Sequence, residues 1–330
     1  MRFQFFPLRF DFIARDSLYF PPGKAANILR GALGTIFRQV ACVPECRDAR
    51  ECDRRHSCTY AKIFEPIAQH ATGPSGFADR PRPFVFRARH LDGVTVPANN
   101  PFYFDLHLFS LDPAVLPYFV LVFSAFAREG LGAHRSRAEL QGVRRLALNE
   151  LAEQVLYRIS EPCLDATAVS PASLDLTPSP AAPARIRVEF LSPTELKHDH
   201  RLAGSPEFPI LFGRIRDRLS TLRSFYGPGP LSIDFRGMGL RAAQVRMTRC
   251  EVHQQDVDRR STRTGQSHSI GGFVGFAEYA GDLAEFLPLL EAGSWVGVGR
   301  QAVWGKGEIA IHPIPPEAQN STNSPSTPAS

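Results

Sequence analysis

Apolar and polar positions alternate at the start of the chain. Leu8, Phe10 and Phe12 are interleaved with Arg9 and Asp11, the two-residue period of a strand with one buried face. This predicts a strand over residues 1–12. The period then lengthens to that of a helix. Ile28, Leu29, Ala32, Leu33, Ile36, Phe37 and Val40 share one face of a helix predicted over Gly23–Val40. Gly31 and Gly34 weaken it as a free helix, so they point to close packing or a nearby ligand.

Strand patterns return at Phe84–Arg87 and Phe102–Phe109, where Phe104, Leu106 and Leu108 alternate with Asp105 and His107. Asp112-Pro113 supplies a cap and first turn for an apolar helix reaching about Arg128. Gly130-Leu-Gly132 ends it, and Ala138–Leu148 supplies another strand. Residues 161–183 are rich in Pro, Ala and Ser and read as an inter-domain linker. Beyond it come a strand over Ile186–Leu191, a helix over Leu211–Tyr226, and strands over Val245–Val252 and Phe273–Tyr279. Asp282-Leu-Ala-Glu285 has the spacing of a capping box, opening a helix that Gly293 should stop. Glu308–Ile311 is the last strand, and the Pro-, Ser-, Thr- and Asn-rich tail from about Pro313 should be disordered.

The order β-α-β-β-α-β thus occurs twice, at residues 1–160 and 184–312. That predicts an α+β chain of tandem ferredoxin-like (RRM-like) domains. An internal echo supports duplication. Phe123-Ser-Ala-Phe126 leads to Gly130-Leu-Gly132 and a basic strand, as Phe286-Leu-Pro-Leu-Leu290 leads to Gly297-Val-Gly299 and Arg300.

The chain has 330 residues, 43 % hydrophobic and 22 % charged, enough for two cores and unlike a disordered chain. Its longest apolar run, Val115–Ala127, falls short of the roughly 20 residues of a spanning helix. The N-terminus lacks a signal-peptide pattern, so a cytoplasmic location and no membrane partner are expected. The net charge is +5. Lysine occurs only at Lys24, Lys62, Lys197 and Lys306, so 38 − 4 = 34 of the basic residues are arginines. A GC-rich genome raises Arg, Ala and Pro together, so distribution says more than the total. Residues 201–264 hold 12 basic and 6 acidic residues, an excess above that of the whole chain. A basic face is the footprint of a nucleic-acid binder.

Two Gly-x-Gly units lie in Gly297-Val-Gly299-Arg-Gln-Ala-Val-Trp-Gly305-Lys-Gly307. Glycine allows positive φ and close backbone approach, and exposed amides can cradle phosphates. Arg300 and Lys306 add charge, and Trp304 either stacks a base or packs on the core. The loop lacks Gly-x-Gly-x-x-Gly, and neither Ser nor Thr follows Lys306, so no nucleotide cofactor is expected. Four cysteines form a second cluster, Cys42, Cys46, Cys52 and Cys58. Structural disulfides are improbable in cytosol. Four thiolates suit a tetrahedral Zn²⁺, and four unligated thiols in an insertion are the alternative.

Gly271–Gly307 resembles the C-terminal region of the CRISPR repeat-processing endoribonucleases of the RAMP superfamily. Arg259-Arg-Ser-Thr-Arg263 resembles their basic approach strand. Leu29–Gly34, the cysteine loop and Tyr60–Glu65 resemble their N-terminal half. The resemblance implies repeat RNA as partner, bound by Arg259, Arg260, Arg263, Gly297, Gly299, Arg300, Gly305, Lys306 and Gly307. It implies cleavage without a catalytic metal, by attack of a 2′-hydroxyl that leaves a 2′,3′-cyclic phosphate and a 5′-hydroxyl. His56 falls in the expected neighbourhood of the base, with Tyr60 and Lys62 beside it for the leaving group and transition state. His56 also reads as a solvated residue of a charged loop or a metal ligand. His134, His198, His200, His253 and His268 are further candidates for facing RNA. Similar cysteine loops in related RAMP proteins favour a structural zinc. The alternative function is a non-catalytic RAMP subunit gripping guide RNA among the subunits of a CRISPR effector complex.

Overall fold

A computed structural model describes residues 1–43, 45–46, 51–66, 80–132, 134–148, 153–164, 169–199, 201–260 and 267–315. The first domain contains β1 (Arg2–Ala14), β2 (Leu18–Tyr19), α1 (Ala25–Ala41), α2 (Thr59–Phe64), β3 (Phe84–Arg87), β4 (Thr95–Val96), β5 (Pro101–Leu108), α3 (Leu116–Glu129), β6 (Ala138–Arg145) and β7 (Gln154–Arg158). A short β8 (Ala172–Asp175) follows. The second domain contains β9 (Arg185–Thr194), β10 (Lys197–His198), β11 (Arg201–Leu202), α4 (Phe208–Tyr226), α5 (Phe235–Ala242) and β12 (Arg246–Gln255). It continues with β13 (Asp258–Arg260), β14 (Ser267–Ser269), β15 (Gly272–Ala280), α6 (Leu287–Val296) and β16 (Ile309–Pro313).

The sheets run β3-β5-β1-β6-β7 and β12-β15-β9-β16, antiparallel throughout. The first four strands of one sheet match the four of the other in topological position, which is the ferredoxin-like order twice. Leu8, Phe10 and Phe12 face α1 and α3 within one core, where Phe10 stacks on Phe104 at 5.5 Å and Phe12 on Phe102 at 5.1 Å. The opposite faces repeat a detail. Arg9 of β1 pairs with Asp105 of β5 at 2.7 Å and lies 3.8 Å over the Tyr103 ring. Arg187 of β9 pairs with Glu278 of β15 at 2.6 Å and lies 4.1 Å over the Phe276 ring.

The second core is not confined to its own domain, since Phe3, Phe5, Val85 and Phe109 of the first belong to it. Part of the expected linker is ordered here, because β8 pairs with the start of β1, Phe3 opposite Leu174. Cationic and neutral donors from three elements converge on the C-terminal carbonyls of α6. Arg87 donates to Ser294 O at 2.8 Å, Arg218 Nε to Val296 O at 2.9 Å, and His107 Nδ1 lies 2.9 Å from Trp295 O. The helix dipole favours positive charge at that end. Burial, with the Arg87 charge second, pushes the His107 imidazole down to about 3.

Two boundaries differ from the sequence pattern. Glu285 pairs with Arg241 at 2.7 Å instead of capping, and α6 begins a turn later at Leu287. Gly293 does not stop it. A Cβ there would stand 2.9 Å from the Ile215 side chain, so Gly293 lets α6 close on α4, and the helix ends at Gly297. The tail beyond residue 315 lies outside the described residues.

Candidate active-site cleft

The helix α2 is six residues long and sharply two-faced. Tyr60, Ile63 and Phe64, at helical spacing, turn inward, and Lys62 turns out. Lys62 and the exposed His56 line a cleft of about 820 Å³. Arg55, Glu65, Arg80, Asp112 and Tyr226 line it as well, so its walls come from both domains. With the imidazole neutral, three cations face two carboxylates there. Arg55 Nε donates to His56 Nε2 at 3.2 Å.

The helix geometry separates Tyr60 from that pair. Positions two apart on a helix point to nearly opposite sides. The Tyr60 ring is buried against Phe64 at 5.3 Å, and its hydroxyl donates to Glu65 Oε1 at 3.4 Å. It does not line the cleft. Sequence reasoning missed the opposite wall. Arg80 donates to the Phe225 carbonyl and lies 4.8 Å over the Tyr226 ring, while the Tyr226 hydroxyl donates to the Pro81 carbonyl. The signal was Arg80-Pro-Arg-Pro83, a basic extended run, but nothing local placed it against the end of α4.

The glycine-rich loop is corrected most. Its amides are largely spent inside the protein: Gly297 N on Gly293 O, Val298 N on Gly307 O, Arg300 N on Glu195 O, and Gly307 N on Pro193 O, all within 3.0 Å. A phosphate cradle would need those donors free. A Cβ at Gly305 would lie 2.4 Å from that of Ala26, and one at Gly307 would lie 1.8 Å from Val298 O. These glycines permit close packing, Gly305 on the start of α1 and Gly307 on Val298. Gly297 caps α6, and Gly299 abuts the Glu195 carbonyl at 2.3 Å from its would-be Cβ.

Lys306, expected on RNA, is only 3 % exposed and donates to Gly23 O at 2.9 Å. Burial lowers its pKa, and the nearby Asp92 carboxylate opposes that. Arg300 is half-exposed and ion-paired with Glu195. Trp304 packs beneath Arg30, whose guanidinium carbon is 5.5 Å from the ring. Arg259 and Arg260 lie on β13, paired with β14. Arg263 falls outside the described residues, as does His200.

The four cysteines neighbour one another in pairs: Cys42 with Cys46 and Cys58, and Cys46 with Cys52. Burial, then the Cys58 and Cys46 thiols, pushes Cys42 up to about 12. Among the described residues no group of three or more His, Cys, Asp or Glu side chains converges as a ligand set. Nor, among them, is any helix long and apolar enough to cross a membrane.

Residues 3–168 match the AF_1859_N family profile, described as an N-terminal domain. Residues 188–309 match the profile of the CRISPR-associated endoribonuclease Cas6. No curated protein sequence matches the chain. A Cas6 product complex is 16 % identical with a TM-score of 0.52, over 94 % of this chain and 100 % of that one. A Thermus thermophilus Cas6 is 15 % identical with a TM-score of 0.51, over 93 % and 98 %. A chain of a partial Cas6-RT-Cas1–Cas2 complex is 9 % identical with a TM-score of 0.52, over 93 % of this chain and 46 % of that one. At these identities the likeness shows the fold, two tandem ferredoxin-like domains.

Proposed function

The chain belongs to the CRISPR repeat-processing RAMP superfamily, with an AF_1859 N-terminal domain and a Cas6 endoribonuclease domain, and from that membership we propose how it cuts repeat RNA. The reading is metal-independent cleavage in the cleft that His56 and Lys62 share. The 2′-oxygen bonds to phosphorus, the bond to the 5′-oxygen breaks, and the products carry a 2′,3′-cyclic phosphate and a 5′-hydroxyl. His56 takes the 2′-hydroxyl proton at Nε2 once a phosphate draws Arg55 away. Lys62 faces the charge that develops on the phosphate and gives a proton to the departing 5′-oxygen, and Arg80 holds the strand. The observation that supports this is the meeting of His56, Lys62 and Arg80 in one cleft walled by both domains.

The test is cleavage of repeat RNA from the same genome in EDTA, beside an RNA with a 2′-deoxy nucleotide at the mapped position. Cutting in EDTA that stops at the deoxy nucleotide is expected. His56→Ala should then slow cleavage by about 10²- to 10⁴-fold with binding retained. Binding without cleavage overturns the enzyme reading in favour of an RNA-gripping subunit. That second reading draws on Tyr60, whose ring is buried against Phe64 and does not line the cleft. Other CRISPR proteins are the protein partners we propose, because a matched chain sits in a Cas6-RT-Cas1–Cas2 complex.

A structural zinc belongs to the same proposal. The donor chemistry of Cys42, Cys46, Cys52 and Cys58 suits it, and the ion would stiffen the loop that carries His56. Binding requires the paired thiols to draw together into one set.

A further inference from the structure

The cleft continues past Tyr226. Ser110 and Tyr226 also line a second hollow of about 450 Å³, which runs to the start of β1 and the end of α4. That volume lies within the roughly 300–1,000 Å³ of small-molecule pockets. Arg2 and Gln4 of β1 and Arg223 of α4 form its polar wall, and Phe6, Phe109 and Tyr226 are on its apolar side. Among the described residues no carboxylate lines it. Asp175 stands opposite Arg2 in register but outside the hollow.

The strand itself fixes those polar groups. Phe3 and Phe5 are buried in the inter-domain core, so strand alternation turns Arg2 and Gln4 outward, and both are exposed. Arg223 makes one long contact, from Nη1 to Pro230 O at 3.5 Å. Two guanidiniums, of which Arg2 also neighbours Asp175 outside the hollow, a side-chain amide and aromatic walls match an unpaired nucleotide. The cations suit its phosphate, the rings its base, and the amide its hydrogen-bonding edge.

We propose that this hollow is a specificity pocket for one unpaired nucleotide of the repeat RNA, adjoining the cleavage position. It rests on the RNA-processing reading above. Gln4 reads the base edge, and Arg2 and Arg223 hold the adjacent phosphate.

The experiment measures the affinity of the full chain for 2′-deoxy-blocked repeat RNA, with an abasic nucleotide at each position in turn. One position near the cut should cost about tenfold, the scale of losing one stacked base. Gln4→Ala and Arg223→Ala should each weaken binding of intact RNA by roughly five- to tenfold. With the RNA abasic at that position, Gln4→Ala should cost nothing further. Gln4 is exposed, so its variant tests the pocket even if Arg223→Ala destabilises the fold. Wild-type affinity in both variants, or an abasic profile unchanged by Gln4→Ala, overturns the pocket. Failure of the wild-type protein to cut unblocked RNA overturns the nuclease reading instead and leaves the binding comparison standing.

Discussion

The ammonium of Lys306 donates to the backbone carbonyl of Gly23 at 2.9 Å, joining the glycine-rich loop of the second domain to the start of α1 in the first. Asp92 completes the junction by accepting the Ala25 amide at 2.9 Å. Gly305, one residue before Lys306, abuts Ala26. A loop that reads as a phosphate cradle is therefore a clasp between domains.

Lys306→Ala should lower stability by about 1.5–3 kcal/mol, the scale of a hydrogen bond from a charged donor. It should leave the salt dependence of RNA binding alone. A phosphate contact would instead reduce the slope of log K against log salt by about 0.7 per contact. Thermal melts and binding at several salt concentrations separate the outcomes, and a reduced slope would return Lys306 to the RNA interface.

The glycines divide by context. Gly305→Ala forces a Cβ to within 2.4 Å of Ala26 at a φ of +76° and should cost about 1–3 kcal/mol. Gly31 lies on the exposed side of α1 with nothing within 4 Å of its would-be Cβ. Gly31→Ala should stabilise by about 0.5–1 kcal/mol. Denaturant midpoints of the two variants should therefore move in opposite directions.

His107 makes the domain junction sensitive to acid. Its folded pKa, about 3, lies below its ordinary 6.5, so the unfolded chain binds the proton first as pH falls. Stability is full above about pH 6.5 and declines steadily toward pH 3. Arg87 beside it adds to the cost of a further charge. His107→Gln should flatten the melting temperature between pH 7 and pH 5. An equally steep profile in that variant would place the acid sensitivity in other groups.

Metal analysis of protein purified without chelator should find about one zinc per chain. Cys46→Ser should lose it and lower the melting temperature, with the second domain's core unaffected. Four freely alkylated thiols and no zinc would leave the cysteine loop without a metal.

Much of the fold was legible in local pattern. The two-residue period of Leu8, Phe10 and Phe12 and the 3.6-residue period from Ile28 to Val40 became β1 and α1. Repetition of element order exposed the duplication, and the matched pairs Arg9–Asp105 and Arg187–Glu278 repeat it in the tertiary structure. The placement of His56 and Lys62 near one another was legible too, because few residues separate them. Tyr60 misled because spacing along the chain says nothing about which side of a helix faces solvent until the core is known.

Residue identity thus determined the elements, the two domains and the candidate chemistry, because helix and strand periods are set by backbone geometry within a few residues. Only the tertiary structure decided what that chemistry faces. Arg80 and Tyr226 meet across the domain junction, and Lys306 points inward to Gly23. Such contacts depend on how two finished domains bury surface against each other, and no short-range pattern carries that information.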